Sequence, residues 1–244
     1  MPLLDVTEIT VRFGGNMALD AASLAAEGGQ VTGLIGPNGA GKTTLFNVVS
    51  GLLPPTSGRI AIDGRDVTKL GPTKRARKGL ARTFQRLELF TMLTVQENIR
   101  VAADIHKRWA RAKEDPAERT EAIIDRVGLR SVADVRVTAL PTGQGRLVEL
   151  GRALACNPSI LLLDEPASGQ DENETEQFAR LLRQLSAEGM AVVLVEHDMQ
   201  LVMAVCDRIS VLDFGRIIAT GTPAEIQKDE AVLAAYLGAA PEPA

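Results

Sequence analysis

Residues 36–43 read Gly36-Pro37-Asn38-Gly39-Ala40-Gly41-Lys42-Thr43, a spacing suited to holding phosphate. Glycines at these positions let successive backbone N–H groups turn inward around anionic oxygens without Cβ obstruction. The helical run that follows, Thr44 to Ser50, points its positive N-terminal end at the same anion. Lys42 adds a mobile cation for β- and γ-phosphates, and the Thr43 hydroxyl is a ligand for Mg²⁺. An apolar run, Val31–Ile35, immediately precedes the loop and reads as a buried strand. This strand–loop–helix order separates a phosphate-binding P-loop from a glycine-rich turn that merely carries a lysine.

Two further polar positions end apolar runs. Ile160–Leu163 leads into Asp164-Glu165, which places paired carboxylates at the C-terminal edge of a sheet, where α/β proteins bind ligands. One carboxylate can hold a Mg²⁺ shell through water while its neighbour orients or deprotonates an attacking water. On its own the pair also reads as a strand ending in polar turn residues. Ala191–Val195 leads through Glu196 to His197. This histidine is either a structural or exposed side chain, or a donor that stabilises charge growing on a transferred phosphoryl group.

The elements that must position these residues follow from periodicity. The three apolar runs, each followed by a polar turn and a helical pattern, give the βα alternation of a parallel sheet. Leu4–Phe13 alternates and suits a half-exposed antiparallel strand. Ile209–Leu212 and Arg216–Ala219 flank Asp213-Phe214-Gly215, a hairpin turn. From about Leu87 to residue 155 the periodicity is helical, with breaks at Asp115-Pro116, Gly128 and Pro141, which predicts a helical subdomain inserted in one α/β domain spanning 1–244. The last residues, 239–244, form a Pro/Ala tail expected to be mobile.

Composition is consistent with such a domain. Aromatic residues are 3% of the 244, so the core must be mainly aliphatic, and the formal charge of -4 argues against whole-surface nucleic-acid binding. Cys156 and Cys206 form no CxxC or Cys/His cluster, which fits a reducing compartment. Met-Pro-Leu-Leu-Asp lacks the basic and apolar regions of a signal peptide, and runs such as Met190 to Val195 are too short to cross a bilayer. Any membrane part of the working system must come from another chain.

With P-loop, paired carboxylates and histidine in this order, the chain resembles the ATP-binding subunits of ABC transporters over essentially its whole length. The resemblance implies the α/β ABC-ATPase fold, with a mixed-sheet core, an N-terminal antiparallel β-subdomain and an inserted helical subdomain. It implies ATP bound by Gly36, Pro37, Asn38, Gly39, Ala40, Gly41, Lys42, Thr43 and Thr44, with Phe13 stacked on adenine. It assigns Mg²⁺ to Thr43, Gln85 and Asp164, and catalysis to Glu165, His197 and Gln85. Gln85 stands at the family's Q-loop position, where that glutamine senses Mg²⁺ and contacts membrane subunits. Leu140-Pro141-Thr142-Gly143-Gln144 corresponds to the signature loop, usually Leu-Ser-Gly-Gly-Gln, which covers the ATP of the opposite subunit. Asp171, in Ser168-Gly169-Gln170-Asp171, corresponds to the D-loop aspartate at the dimer interface. The implied assembly is a head-to-tail dimer closing on two ATP molecules and released by hydrolysis. Pro141 removes a hydroxyl and a backbone donor from the signature loop, Thr142 replaces its first glycine, and Gln170 replaces a usual leucine. These departures bear on interface geometry.

Within the family the chain looks most like the ATP-binding subunits of bacterial branched-chain and hydrophobic amino-acid importers, a group that also includes importers of urea and other small solutes. The segments that carry this are Phe13-Gly14-Gly15, Ala81-Arg82-Thr83-Phe84-Gln85, Leu93-Thr94-Val95-Gln96-Glu97-Asn98, Gln144 to Leu150 and Ala235-Tyr236-Leu237-Gly238. The kinship implies a second ATP-binding subunit, permease subunits, an extracytoplasmic solute-binding protein, no nucleic acid, and a peripheral place on the cytoplasmic face of the inner membrane. Leu87, Leu89, Phe90, Met92 and Leu93 read either as helical-subdomain core or as a groove receiving a short permease helix. The basic residues between Asp66 and Glu88 read as a solvated helix face or as a contact for anionic lipid. Two rivals remain. One is a soluble ABC ATPase acting on nucleic acid or ribosomes, a type that usually carries a second cassette or coiled-coil or zinc insertions. The other is a P-loop kinase, which would need neither signature loop nor dimer.

Overall fold

The computed structural model describes residues 1–237; the predicted Pro/Ala tail and Gly238 lie outside the described residues. Among the described residues, ten strands form two sheets. The first is antiparallel, built from β1 (Leu4–Phe13), β2 (Asn16–Ala26), β4 (Ser57–Ile62) and β5 (Arg65–Asp66) in the order β2-β1-β4-β5. The second contains β3 (Val31–Ile35), β6 (Leu80–Arg82), β7 (Ile160–Asp164), β8 (Ala191–Val195), β9 (Arg208–Asp213) and β10 (Arg216–Gly221). Its order is β10-β9-β3-β8-β7-β6, and only the β9–β10 pairing is antiparallel. The parallel strands are those expected from the βα alternation, and the predicted hairpin at the edge makes the sheet mixed, as the resemblance implies.

The parallel strands are apolar throughout because both faces are covered. Leu161, Leu163, Val192 and Leu194 face a layer of helices, whereas Ile160, Leu162, Ala191, Val193 and Val195 face the antiparallel sheet and α1 (Lys42–Ser50). α1 lies between the two sheets, with Leu45, Phe46, Val48 and Val49 buried.

Between β6 and β7 stand α3 (Val95–Ala110), α4 (Pro116–Arg126) and α5 (Thr142–Ala155), preceded by the short helix α2 (Pro72–Ala76). The predicted breaks at Asp115-Pro116 and Pro141 are helix starts. Asp115 caps α4 and Pro141 occupies the N-cap of α5, so that helix begins at Thr142. Residues 87–94 are not helical, contrary to the periodicity. A capping box between Thr94 and Glu97 sets the start of α3. Buried Asn98 then holds the preceding segment open, accepting from the Phe90 N–H and donating to the Phe90 and Thr94 carbonyls. Beyond β7 the chain continues through α6 (Glu172–Ala187), α7 (Met199–Val205), α8 (Pro223–Ile226) and α9 (Glu230–Leu237).

The basic stretch 69–86 is not a uniform solvated face. Arg75 is 1% exposed, and its guanidinium donates to the carbonyls of Val48 (2.6 Å), Val49 (2.7 Å), Thr68 (2.9 Å) and Leu70 (2.8 Å). It therefore caps the C-terminal end of the helix whose other end meets the 36–43 loop, where a cation also suits the helix dipole. Arg75→Met should strand these carbonyls and lower the unfolding free energy by on the order of 3 kcal/mol, read from urea titrations. An unchanged midpoint would mean that water reaches the carbonyls instead.

Candidate active site

The loop after β3 turns sharply because Gly36 adopts φ 153°; a Cβ there would lie 1.9 Å from the Leu212 carbonyl oxygen of β9. The β9–β10 hairpin thus supports the loop from beneath, and its Gly215 N–H donates to the Ala40 carbonyl (2.9 Å). Lys42 is 7% exposed and donates to the carbonyls of Gly36 (2.6 Å) and Pro37 (2.9 Å). Burial lowers its pKa, opposed by the charges of Glu165 and Asp164.

Above the loop lies a cleft of about 530 Å³ lined by Asn38 to Thr44 together with Gln85, Glu165 and His197. Gln85, Glu165 and His197, from three separate segments, are thus brought to the opening of the loop. They meet on a single carboxylate: the Gln85 amide donates to Glu165 Oε2 (2.9 Å), and His197 Nε2 lies 2.7 Å from Glu165 Oε1. Glu165 itself adopts φ 49°, a left-handed conformation that costs a non-glycine residue on the order of 1 kcal/mol. The turn is held by the Glu165 N–H donating to the Val195 carbonyl (2.9 Å). Glu196 also holds it, accepting from the Ala167 N–H (2.8 Å) and from the His197 N–H (3.0 Å). Burial pushes the Glu196 carboxyl above the usual range. Glu196 was visible in the sequence only as the end of a strand.

Asp164 sits at the last position of β7, 2% exposed, and accepts from Arg82 at 3.0 Å. Burial raises its pKa and Arg82 opposes the rise. No cluster of three or more His, Cys, Asp or Glu side chains able to hold a metal exists among the described residues. A divalent ion here would need oxygens from a bound phosphate alongside Thr43, Gln85 and Asp164, which is how Mg²⁺ is commonly bound.

The other predicted site residues stand apart from this cleft. Thr142, Gly143 and Gln144 form the first turn of α5, just after Leu140 and the capping Pro141. Gly143 and Gln144 line a different hollow with Gln170 and Glu174. A Cβ on Gly143 would lie 2.8 Å from Glu174 Oε2, so the loop and the start of α6 fit closely. Asp171 is the N-cap of α6, with its side chain accepting from the Glu174 N–H (2.8 Å). Phe13 ends β1 and is half exposed, outside the cleft lining.

Side chains on α5 also hold the segment containing Gln85, a role that sequence reasoning missed. Arg146 donates to the Phe84 carbonyl (2.7 Å) and to the Gln85 carbonyl, and Glu149 accepts from the Glu88 N–H (3.0 Å). Arg152 donates to the Glu88 carbonyl and lies over the Phe90 ring at 4.4 Å. The i, i+3, i+6 spacing of these three residues was the available signal.

A second hollow, about 360 Å³ and mainly apolar, opens beside this segment. Phe84, Phe90, Leu52 and Ile105 contribute to it and are all exposed. Within the apolar run 87–93, Leu89 packs on the core and Phe90 lines this groove.

Comparison with known proteins agrees with this arrangement. Residues 19–168 match the family described as ABC transporter, and residues 216–242 match the branched-chain amino acid ATP-binding cassette transporter family. The high-affinity branched-chain amino acid transport ATP-binding protein BraF of Pseudomonas aeruginosa is 39% identical, with 98% of this chain and 99% of that protein covered. The lipopolysaccharide export system ATP-binding protein LptB of Escherichia coli is 34% identical, with 98% of each chain covered. A crystal structure of the ADP conformation of an ATP-binding cassette of an ABC transporter superposes with a TM-score of 0.86 at 32% identity, covering 98% of this chain and 99% of that one. No helix among the described residues is long and apolar enough to cross a membrane. The chain belongs to the ABC transporter family, as one of its ATP-binding, ATP-hydrolysing subunits.

Proposed function

We propose that this subunit drives import of branched-chain or other hydrophobic amino acids by hydrolysing ATP at the 36–43 loop. The observation that carries the catalytic part is the convergence of Gln85 and His197 on the two oxygens of Glu165, at the mouth of the phosphate cleft. In this reading Glu165 accepts a proton from the attacking water, and His197 and Gln85 fix the carboxylate and line the γ-phosphate region. Lys42 leaves the loop carbonyls for the phosphates, whose charge suits it better. Mg²⁺, held by Thr43 and by Asp164 and Gln85 alongside phosphate oxygens, would neutralise charge developing on the phosphoryl group.

Leu140, Pro141, Thr142, Gly143 and Gln144 face the ATP of a second subunit in this proposal, with Asp171 at the shared interface. Their separation from the chain's own cleft supports that assignment. Residues 87–155 act as a helical unit inserted in a single α/β domain, and Phe13 serves as the adenine platform. The exposed aromatic groove beside Gln85 fits a short amphipathic segment of a permease subunit, which would place this chain on the cytoplasmic face of the inner membrane. The amino-acid assignment rests on the resemblance to BraF and on the match over residues 216–242, and includes partnership with an extracytoplasmic solute-binding protein.

Glu165→Gln should retain ATP binding, cut phosphate release about 100-fold or more, and yield an ATP-dependent dimer on size-exclusion chromatography; normal turnover would remove Glu165 from its role. Lys42→Ala should instead weaken ATP binding itself, measured by calorimetry. Phe90→Asp should leave the isolated subunit folded while abolishing co-purification with its permease subunits, and intact co-purification would place the docking surface elsewhere. Uptake of radiolabelled leucine, set against urea, by the reconstituted transporter tests the solute.

A further inference from the structure

Arg82 carries a buried guanidinium beside the cleft that the proposed reaction does not use. Its side chain is 6% exposed and that of its partner Asp164 is 3% exposed. The guanidinium is shared between two elements. Nη2 donates to Asp164 Oδ2 at 3.0 Å, at the end of β7, while Nη1 donates to Asn47 Oδ1 (2.8 Å) and Ser50 Oγ (3.0 Å), both on α1. The plane is flanked by two rings, with Phe46 at 5.5 Å and Phe84 at 4.9 Å from the guanidinium carbon. Nε is buried with no hydrogen-bond partner among the described residues.

Stability does not account for this arrangement. A buried ion pair is often no better than an apolar pair of the same volume, and the orphaned Nε adds an unrecovered desolvation penalty. What the arrangement does supply is position. Arg82 engages one oxygen of Asp164 and references that carboxylate to α1, the helix whose first turn carries Lys42 and Thr43. A fork-shaped guanidinium can bond to a carboxylate and to a helix at once, and the flanking rings prevent it from swinging. Arg82 and Phe84 also form part of the apolar groove wall, so the ring that covers the guanidinium is reachable from the groove.

We propose that Arg82 is a positioning residue that sets the Asp164 carboxylate for a divalent cation and links it to the groove through Phe84. This rests on the reading of Asp164 as a carboxylate on the metal side. Partners that orient a metal-binding group typically change metal affinity 10- to 100-fold when removed.

The test uses the full chain with a non-hydrolysable ATP analogue, reading Mn²⁺ affinity by electron paramagnetic resonance and analogue affinity in EDTA by calorimetry. Arg82→Met should weaken Mn²⁺ binding about tenfold or more and leave the metal-free analogue affinity within about twofold. Arg82→Lys, which keeps the charge but cannot bridge both elements, should fall between Met and wild type; it carries the test if the methionine variant does not fold. Unchanged or tighter Mn²⁺ binding in either variant would overturn the proposal, as would parallel loss of both affinities, the mark of a purely structural residue. Asp164→Asn separates the two readings: if it leaves Mn²⁺ binding intact, the assignment of Asp164 fails first and the role of Arg82 falls with it.

Discussion

The site depends on a close approach of backbone to backbone. Gly36 must sit against the Leu212 carbonyl so that the chain leaving β3 can turn over the end of the sheet. Any side chain there would push the loop off β9 and displace the start of α1. That single contact explains why the hairpin of β9 and β10 matters to a site it does not enter. The hairpin holds the loop by the Gly215–Ala40 hydrogen bond, and its Gly215 carbonyl accepts from the Asp20 N–H in β2 (2.8 Å). The antiparallel sheet is thereby tied to the same loop.

From this anchor the remaining polar groups are placed by register. β3, β8 and β7 are adjacent and parallel, so their C-terminal ends open on one edge. Residues immediately beyond those ends are Gly36, Glu196-His197 and Glu165, and they meet with no long-range adjustment of the chain. The strained Glu165 backbone turns its carboxylate toward His197 and Gln85. The hydrogen bonds from Glu196 to the two flanking turns hold that conformation against relaxation.

Much of this was legible in the sequence, for a physical reason. Strands buried on both faces must be apolar at every position, so β3, β7 and β8 stood out, and the polar residues ending them were marked as candidates. β2 and β4 did not stand out. β2 is interrupted by Asp20 and left-handed Ala21, and in β4 only the last three positions are buried. The segment 87–94 misled because its apolar residues are spaced as in a helix, whereas its backbone is satisfied by Asn98, Glu149 and Arg152 from elsewhere. Arg75 and Arg82 were hidden for the same reason. Their partners are helix-end carbonyls and a carboxylate up to 82 positions away, and a run of basic residues looks alike whether it is solvated or bonded.

The groove, the cleft and the 140–144 segment are joined by α5. Its Arg146, Glu149 and Arg152 grip the backbone of residues 84–88 from one face, and its first turn is the Thr142-Gly143-Gln144 segment. A buried charge pair, Arg146 with Glu149 at 3.1 Å, stiffens that grip. Because the side chains bond to main-chain groups, residues 84–88 cannot shift along the helix without breaking hydrogen bonds to charged side chains, at about 1.5–3 kcal/mol for each. Moving the segment with α5 preserves those bonds. Gln85 remains bonded to Glu165 at 2.9 Å only while that unit stays seated on the sheet, so this hydrogen bond couples the position of α5 to the carboxylate in the cleft.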